Sequence, residues 1–190
     1  MLVLVRHGES TANEQNIKAG QLNVPLTERG IQQAKALRGD IGSYQYDAVF
    51  LSDAERCQDT TWHAIGHRHP RETWTLAEEL RERSGGIYEG MPYPEIRKLL
   101  PPKKYKLWQR DYFEAPMQGE SMKDVEDRVV PFMQEYVFPL INAGKHVWVC
   151  SHHVTIQVII GHIKGMEETM VPSLKIEHAV PYVLYGTVQM

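Results

Sequence analysis

Near the start of the chain, a short apolar strand leads directly into a histidine flanked by an arginine and a glycine. Residues 2–10 read Leu-Val-Leu-Val-Arg-His-Gly-Glu-Ser, so Arg6 and His7 stand at the carboxyl end of the predicted strand. In an open α/β sheet, that end is where ligands bind. An imidazole beside a fixed positive charge suits attack on an anionic centre, and Gly8 lets the backbone turn sharply. The segment therefore predicts a nucleophilic histidine in an anion-binding turn.

Three later segments carry side chains of the same kind. Arg56 and His152 each follow a predicted strand, and Glu82 precedes a glycine-rich turn. This set suits phosphoryl transfer, in which neutral His7 attacks phosphorus and Glu82 protonates the leaving oxygen. Arg6, Arg56 and His152 then hold the phosphoryl oxygens and absorb the developing charge. The scheme requires no metal, because the arginines supply the electrostatic stabilisation.

The elements that position these side chains follow from the pattern of apolar residues. Short runs rich in Val, Leu and aromatic residues predict strands at Leu2–Val5, Ala48–Leu51, His146–Cys150 and Tyr182–Tyr185. Being continuous and apolar, these strands are expected to be buried on both faces. Helical stretches separate them, including one at Val154–Ile163. The alternation predicts an α/β fold, namely a three-layer sandwich with a mostly parallel central sheet and helices on both faces.

Helix starts and the middle of the chain give further expectations. Ser52 and Glu55 form a capping-box pair that predicts a helix directly after the second strand. Ser121 begins the longest predicted helix, which Pro131 is expected to kink unless it starts a new segment. Glycines, prolines and basic residues punctuate residues 84–120. We interpret this stretch as a lid or specificity insertion over the site of a single domain, residues 1–190.

Composition limits the possible partners. A formal net charge of -3 over 190 residues gives no general attraction to nucleic acid or anionic membranes. Two cysteines and no apolar run of membrane-spanning length favour a cytoplasmic protein without a signal peptide. His63 and His67 lie one helical turn apart, but no acidic or cysteine partner completes a metal site. The expected partner is a small phosphorylated metabolite, and the chain is expected to be a monomer or homodimer.

The segment Arg6-His7-Gly8-Glu9-Ser10 with Asn13 resembles the phosphate-binding motif of the histidine phosphatase superfamily, the phosphoglycerate mutase-like proteins. Further blocks resemble that family in the same order, at residues 25–30, 52–60, 82–86, 119–128 and 151–152. The resemblance implies that His7 is the phosphorylated histidine and Glu82 the proton donor. It also implies the phosphate ligands Arg6, Asn13, Arg56 and His152.

The chain departs from the family pattern at positions that bear on substrate. His153 stands where the family usually has glycine, and residues 89–94 lack the lysine that mutases carry after the glycine-rich turn. Arg110 stands alone where mutases have paired arginines. By this comparison the substrate-binding candidates are Gly20, Arg83, Arg110 and His153.

These departures favour a metal-independent phosphomonoester hydrolase that needs no cofactor and acts through a phosphohistidine intermediate. One alternative is a phosphoglycerate mutase, which would need 2,3-bisphosphoglycerate as primer. Another is a non-catalytic phospholigand-binding protein on the same fold.

Overall fold

The computed structural model describes residues 1–39 and 41–188. The strands are β1 (Leu2–Arg6), β2 (Ala48–Ser52), β3 (Trp74–Ala77), β4 (Val147–Ser151) and β5 (Pro181–Leu184). They form one sheet in the order β3-β2-β4-β1-β5. The pairs β1–β4, β2–β4 and β2–β3 are parallel, whereas β5 runs antiparallel to β1. The predicted mostly parallel sheet is confirmed.

Eight α-helices connect and cover these strands within the described residues. They are α1 (Thr11–Glu14), α2 (Glu28–Ala36), α3 (Glu55–Ile65), α4 (Tyr93–Leu99), α5 (Pro102–Arg110), α6 (Met122–Phe132), α7 (Phe138–Asn142) and α8 (His153–Lys164). A π-helical turn at Met133–Val137 joins α6 to α7. Pro131 lies inside α6, one residue before the α-helix ends, and therefore does not start a new helical segment.

Alternation along β1 shows how the sheet is covered. Leu2 and Leu4 pack in one apolar cluster with residues of α6, α7 and α8. Val3 and Val5 point to the other face and pack in a second cluster with residues of α3 and Leu37. Successive side chains of a strand point to opposite faces, so two separate cores on one strand require helices on both sides. The three-layer prediction is confirmed.

The two edge strands differ from the expectation. β5 overlaps the predicted strand at Tyr182–Tyr185, but it is only half-buried, because it is an antiparallel edge strand with a partner on one side. β3 was not predicted from sequence. It is four residues long and Leu76 is 49% exposed, so this strand lacks the continuous burial that marks the central strands.

The predicted capping box after β2 is wrong. α3 begins at Glu55 behind Ala54, which makes no side-chain cap. Ser52 is instead the last residue of β2, and its hydroxyl lies 2.9 Å from Nε2 of His152. By contrast, the predicted cap at Ser121 is present, since its hydroxyl accepts from the Asp124 backbone N–H at 3.1 Å.

Residues 84–120 form a segment of short elements with its own small apolar cluster. Tyr88, Ile96, Tyr105 and Trp108 pack together from a 3₁₀ turn, α4 and α5. Side chains of this segment, among them Trp108, also line the cleft at the carboxyl edge of the sheet. No helix of the described residues is both long and apolar enough to cross a bilayer.

Candidate active site

Strand register brings two distant histidines together. Arg6 pairs with Ser151 across β1 and β4, and the His7 backbone N–H donates to the Ser151 carbonyl at 3.1 Å. The next residues in each strand, His7 and His152, therefore leave the sheet side by side. Their ring centroids lie 5.1 Å apart in an edge-to-face arrangement. Both rings are buried, with 4% and 0% of their surfaces exposed.

A backbone carbonyl determines which nitrogen of His7 is free. Nδ1 of His7 lies 2.7 Å from the Gly8 carbonyl oxygen, which can only accept, so Nδ1 carries the proton. Nε2 of the neutral ring then keeps its lone pair. The glycine at position 8 is required for packing, because a Cβ there would lie 2.5 Å from the Gly30 carbonyl oxygen. Gly8 thus allows close packing against the backbone of Gly30.

Burial and nearby cations keep both histidines uncharged. Burial, followed by the charges of Arg56 and Arg6, lowers the pKa of His7 well below its ordinary 6.5. Burial and the charge of Arg56 also lower the pKa of His152 well below that value. A protonated imidazole has no lone pair for attack, so these surroundings hold His7 in its nucleophilic form.

Two arginines flank His7 and are held by backbone carbonyls. Arg56 is 2% exposed and donates to the carbonyls of Leu22 at 2.7 Å and Gly20 at 2.9 Å. Arg6 donates from Nη1 to the Ile176 carbonyl at 2.8 Å. Each guanidinium carries five donors, so further N–H groups remain for an anion.

His152 is held at one nitrogen and unpaired at the other. Nε2 of His152 lies 2.9 Å from the Ser52 hydroxyl and 3.5 Å from the sulfur of Cys57. Nδ1 is buried without a hydrogen-bond partner among the described residues. A buried polar atom without a partner is costly, and a phosphoryl oxygen is a group that can satisfy it.

Glu82 is held by three backbone N–H groups that converge on its carboxylate. Oε1 accepts from Arg83 at 2.8 Å and from Val154 at 3.2 Å, and Oε2 accepts from His153 at 3.1 Å. Burial by itself would raise the pKa of Glu82. The charge of Lys18, the electrostatic effect of His153 and the hydrogen bond from the Arg83 backbone together outweigh burial, so the pKa of Glu82 is lowered. The ligand-free carboxyl is therefore ionised at neutral pH.

The structure places the remaining predicted residues as follows. Asn13 lines the cleft and also caps α1, where its side-chain oxygen accepts from the Ser10 hydroxyl at 2.8 Å. Gly20 and Arg83 line the same cleft, and so does His153, whose backbone N–H still reaches Glu82.

Arg110 is not brought to this cleft. It is the last residue of α5 and is exposed, whereas its neighbour Gln109 faces the cleft. On an α-helix, consecutive residues point about 100° apart, so only one of the two faces inwards.

Sequence reasoning missed two residues that the fold adds. Lys18 lines the cleft with only 6% of its surface exposed. His178 donates from Nδ1 to the His7 carbonyl at 3.0 Å, and its ring lies 5.5 Å from the His7 ring. Burial and the charge of Arg6 lower the pKa of His178 to about 4. Neither residue belongs to a recognisable motif, so only the tertiary contacts reveal them.

The described side chains contain no group of three or more His, Cys, Asp and Glu residues arranged to hold a metal ion. The cleft itself has a volume of about 320 Å³. That volume is at the lower end of the range for small-molecule sites.

The fold and this pair of strand-end histidines define a histidine-based phosphoryl-transfer enzyme. The chain belongs to the histidine phosphatase superfamily (branch 1), whose family model matches residues 2–186. It is 29% identical to the 2,3-bisphosphoglycerate-dependent phosphoglycerate mutase of Chlamydia trachomatis serovar L2b, over 100% of this chain and 95% of the mutase. The resemblance predicted from the motifs is confirmed.

Solved structures agree with this assignment. A mycobacterial glucosyl-3-phosphoglycerate phosphatase, in a complex with VO3, superimposes with a TM-score of 0.82 at 27% identity, covering 93% of this chain and 88% of the phosphatase. The YhfR protein of Bacillus stearothermophilus gives a TM-score of 0.84 at 27% identity, covering 99% of this chain and 93% of its own. Similar proteins thus include both mutases and phosphatases.

The electrostatics of His7 lead to a pH prediction. We expect its ring to stay neutral as the pH falls from about 7 to about 5.5, because its folded-state pKa lies well below 6.5. An unfolded histidine takes up a proton in that window and the folded one does not. The free energy of unfolding should therefore decrease below pH 6.5, by about 1.4 kcal/mol per pH unit for each such histidine.

Two measurements check this expectation. NMR titration of the ring nitrogens should show no inflection for His7 as the pH falls through 6.5, the ordinary value for histidine. Urea unfolding at pH 7.0 and 5.5 should show the loss of stability. An inflection of the His7 ring near pH 6.5 would contradict the assignment.

Proposed function

We propose that this protein is a metal-independent phosphomonoester hydrolase that acts through a phosphohistidine on His7. The observation that carries the proposal is the hydrogen bond from Nδ1 of His7 to the Gly8 carbonyl, which leaves Nε2 as a neutral nucleophile. Arg6 and Arg56 flank that ring and supply positive charge without a metal. The substrate is a small phosphorylated metabolite, in keeping with a cleft of about 320 Å³.

In the first half-reaction, Nε2 of His7 attacks phosphorus and the bond from phosphorus to the ester oxygen breaks. Arg6, Arg56 and Nδ1 of His152 bind the phosphoryl oxygens, and Asn13 borders the same site. Donors already in position are worth about 3 kcal/mol each in such transition states, because they need no reorganisation as charge develops.

The leaving oxygen takes its proton from Glu82. Although the free carboxyl is ionised, a phosphate dianion bound beside it disfavours a second negative charge and raises the pKa of Glu82 from its lowered value. Glu82 therefore takes up a proton from solvent as the substrate binds, and this proton passes to the leaving oxygen when its bond to phosphorus breaks. In the second half-reaction, water attacks phosphorus, Glu82 accepts the water proton, and the bond from phosphorus to Nε2 breaks to release phosphate.

A phosphoglycerate mutase is the second candidate, because curated relatives carry that name. It shares the first half-reaction but returns the phosphoryl group to another hydroxyl. Two observations favour hydrolysis: Arg110 is exposed outside the cleft, and residues 89–94 contain no lysine. In addition, the alignment with the Chlamydia trachomatis mutase spans 214 positions, whereas this chain has 190 residues. At least 24 residues of the mutase therefore have no counterpart in this chain.

The class of reaction is tested by following two products. We expect phosphate release from an aryl phosphate in the presence of EDTA, without any bisphosphorylated primer. In parallel, 3-phosphoglycerate is incubated with and without 2,3-bisphosphoglycerate, and formation of 2-phosphoglycerate is measured. Isomerisation that depends on the primer and exceeds hydrolysis would assign a mutase. Tight phosphate binding with neither activity would assign the non-catalytic alternative.

We also propose that the protein acts in the cytoplasm. Cys57 and Cys150 are both buried and unpaired by a disulfide, which fits a reducing compartment.

A further inference from the structure

A buried lysine stands in the cleft without an ion-pair partner. Lys18 is 6% exposed, and the described residues place no carboxylate within 4.0 Å of its ammonium. Its single hydrogen bond there is a long one, 3.5 Å from Nζ to the Arg83 carbonyl. An ammonium has three donors, so most of its hydrogen-bonding capacity is unused. A buried charge left in this state is costly unless a ligand pairs with it.

The backbone holds Lys18 firmly in this position. Its N–H donates to the Met91 carbonyl at 2.9 Å, and its own carbonyl accepts from Gly90 at 2.8 Å. The side chain then passes over Gly85, where an added Cβ would lie 2.8 Å from Cε of Lys18. Lys18 is therefore fixed against residues 84–120 by backbone hydrogen bonds and packing, and these contacts account for its burial.

Two neighbouring donors are also buried and unpaired. Arg83 is 6% exposed and Trp108 is 3% exposed, and both line the same cleft as Lys18. Nε of Arg83 and Nε1 of Trp108 have no hydrogen-bond partner within the described part of the chain. Two buried donors of this cleft therefore lack acceptors and the Lys18 ammonium has only one long hydrogen bond, so an anionic group can satisfy all three side chains.

The charges of the cleft point the same way. Four cationic side chains line it, namely Arg6, Lys18, Arg56 and Arg83, against the one carboxylate of Glu82. A phosphate dianion at His7 offsets two of the three excess positive charges. One positive charge remains, and burial followed by the opposing charge of Glu82 leaves the pKa of Lys18 lowered to about 8, so the lysine is still mostly protonated at neutral pH.

We propose that Lys18, together with Arg83 and the Trp108 indole N–H, forms a second anion site that selects phosphomonoesters carrying another anionic group. This inference rests on the proposed phosphohydrolase function and adds a substrate class to it. The second group is a carboxylate or a second phosphate, since both present oxygen acceptors to these donors. Lys18 supplies a positive charge to this site. It lies just before Gly20, in a segment outside the motifs identified from the sequence.

The test compares substrates that differ in one charged group. Phosphoglycolate is paired with 2-hydroxyethyl phosphate, and 3-phosphoglycerate with glycerol 3-phosphate, because each pair replaces a carboxylate by a hydroxymethyl group. A third pair, glycerol 1,3-bisphosphate against glycerol 3-phosphate, tests a second phosphate. Phosphate release gives kcat/KM for each, and the ratio within a pair measures selectivity for the second anion.

We expect the wild-type ratio to be about 30 or more in at least one pair and to fall to near 1 in Lys18→Met, mainly through KM, since one buried charge pair is lost. Lys18→Gln should lower it similarly. Replacing this unpaired buried charge should not impair folding, which thermal unfolding checks. The exposed Lys35→Met serves as the matched control and should leave the ratio unchanged.

The outcomes separate this inference from the function it rests on. If wild type releases no phosphate from any substrate, the hydrolase proposal fails. If wild type is active but its ratios are near 1, or if Lys18→Met leaves them unchanged, the second anion site is refuted while the hydrolase stands. The pair with the largest wild-type ratio identifies the second group as carboxylate or phosphate.

Discussion

Replacing His7 with alanine is expected to lower phosphate release by at least about 10⁴-fold, because the covalent route loses its nucleophile while the binding groups remain. The ring is buried and its Nδ1 is hydrogen-bonded to the Gly8 carbonyl, so Nε2 is the nucleophilic atom that the alanine variant loses. His152, the neighbouring histidine, is held at Nε2 by Ser52 and does not replace it.

A trapping experiment separates loss of the nucleophile from loss of binding. Wild-type protein is mixed with radiolabelled substrate, quenched in alkaline detergent because phosphohistidine is labile in acid, and analysed by gel. We expect label in wild type and in the exposed control His67→Ala, and none in His7→Ala. Label that persists in His7→Ala, or activity within tenfold of wild type, would remove His7 from the mechanism.

The second large effect is expected at Glu82. Glu82→Gln keeps the shape of the side chain but cannot donate a proton from a carboxyl group, so hydrolysis of an alkyl phosphate should fall by about 10²–10⁴-fold. An aryl phosphate has a better leaving group that needs less protonation, and its hydrolysis should fall far less. The comparison is made within one variant, because the amide also disturbs the three N–H groups that converge on this carboxylate.

Rates for phenyl phosphate and an alkyl phosphate are measured for wild type, Glu82→Gln and the exposed control Glu14→Gln. The acid role requires the ratio of aryl to alkyl rates to rise at least about tenfold in Glu82→Gln only. Equal losses on both substrates would show that Glu82 positions the site and does not protonate the leaving group.

Much of the fold was readable because the central strands are buried on both faces. β1, β2 and β4 appear in the sequence as continuous apolar runs, and each predicted run lies within two residues of the observed strand. The edge strand β3 was missed because it is only four residues long and the polar Thr75 interrupts its apolar run. A strand at the edge of a sheet is less buried than a central one, so its sequence carries a weaker apolar pattern.

The capping-box error at Ser52 has a similar cause. Local spacing pairs a serine with a glutamate three residues later, which is the pattern of a helix start. In the folded protein, the Ser52 hydroxyl instead lies in hydrogen-bond distance of the His152 ring, which follows a strand a hundred residues further along the chain. A local pattern does not report such a competing partner.

The sequence alone determined which chemistry is present in this chain. His7, Arg6, Arg56, Glu82 and His152 each stand in a segment whose pattern predicts a strand end or a turn, and the resemblance in motif order supplied the family. These signals are local, because a strand followed by a polar residue or a glycine is encoded by adjacent positions. The sheet register then brings the two histidines to 5.1 Å.

Only the tertiary structure decided which further side chains share the cleft. Lys18 lies in a polar stretch and is buried because residues 84–120 pack against it, whereas Arg110 is exposed because its helix turns it outwards. His178 reaches the His7 carbonyl from a segment without regular structure. Burial and contact of such residues depend on packing between distant segments, and spacing along the chain carries no information about that packing.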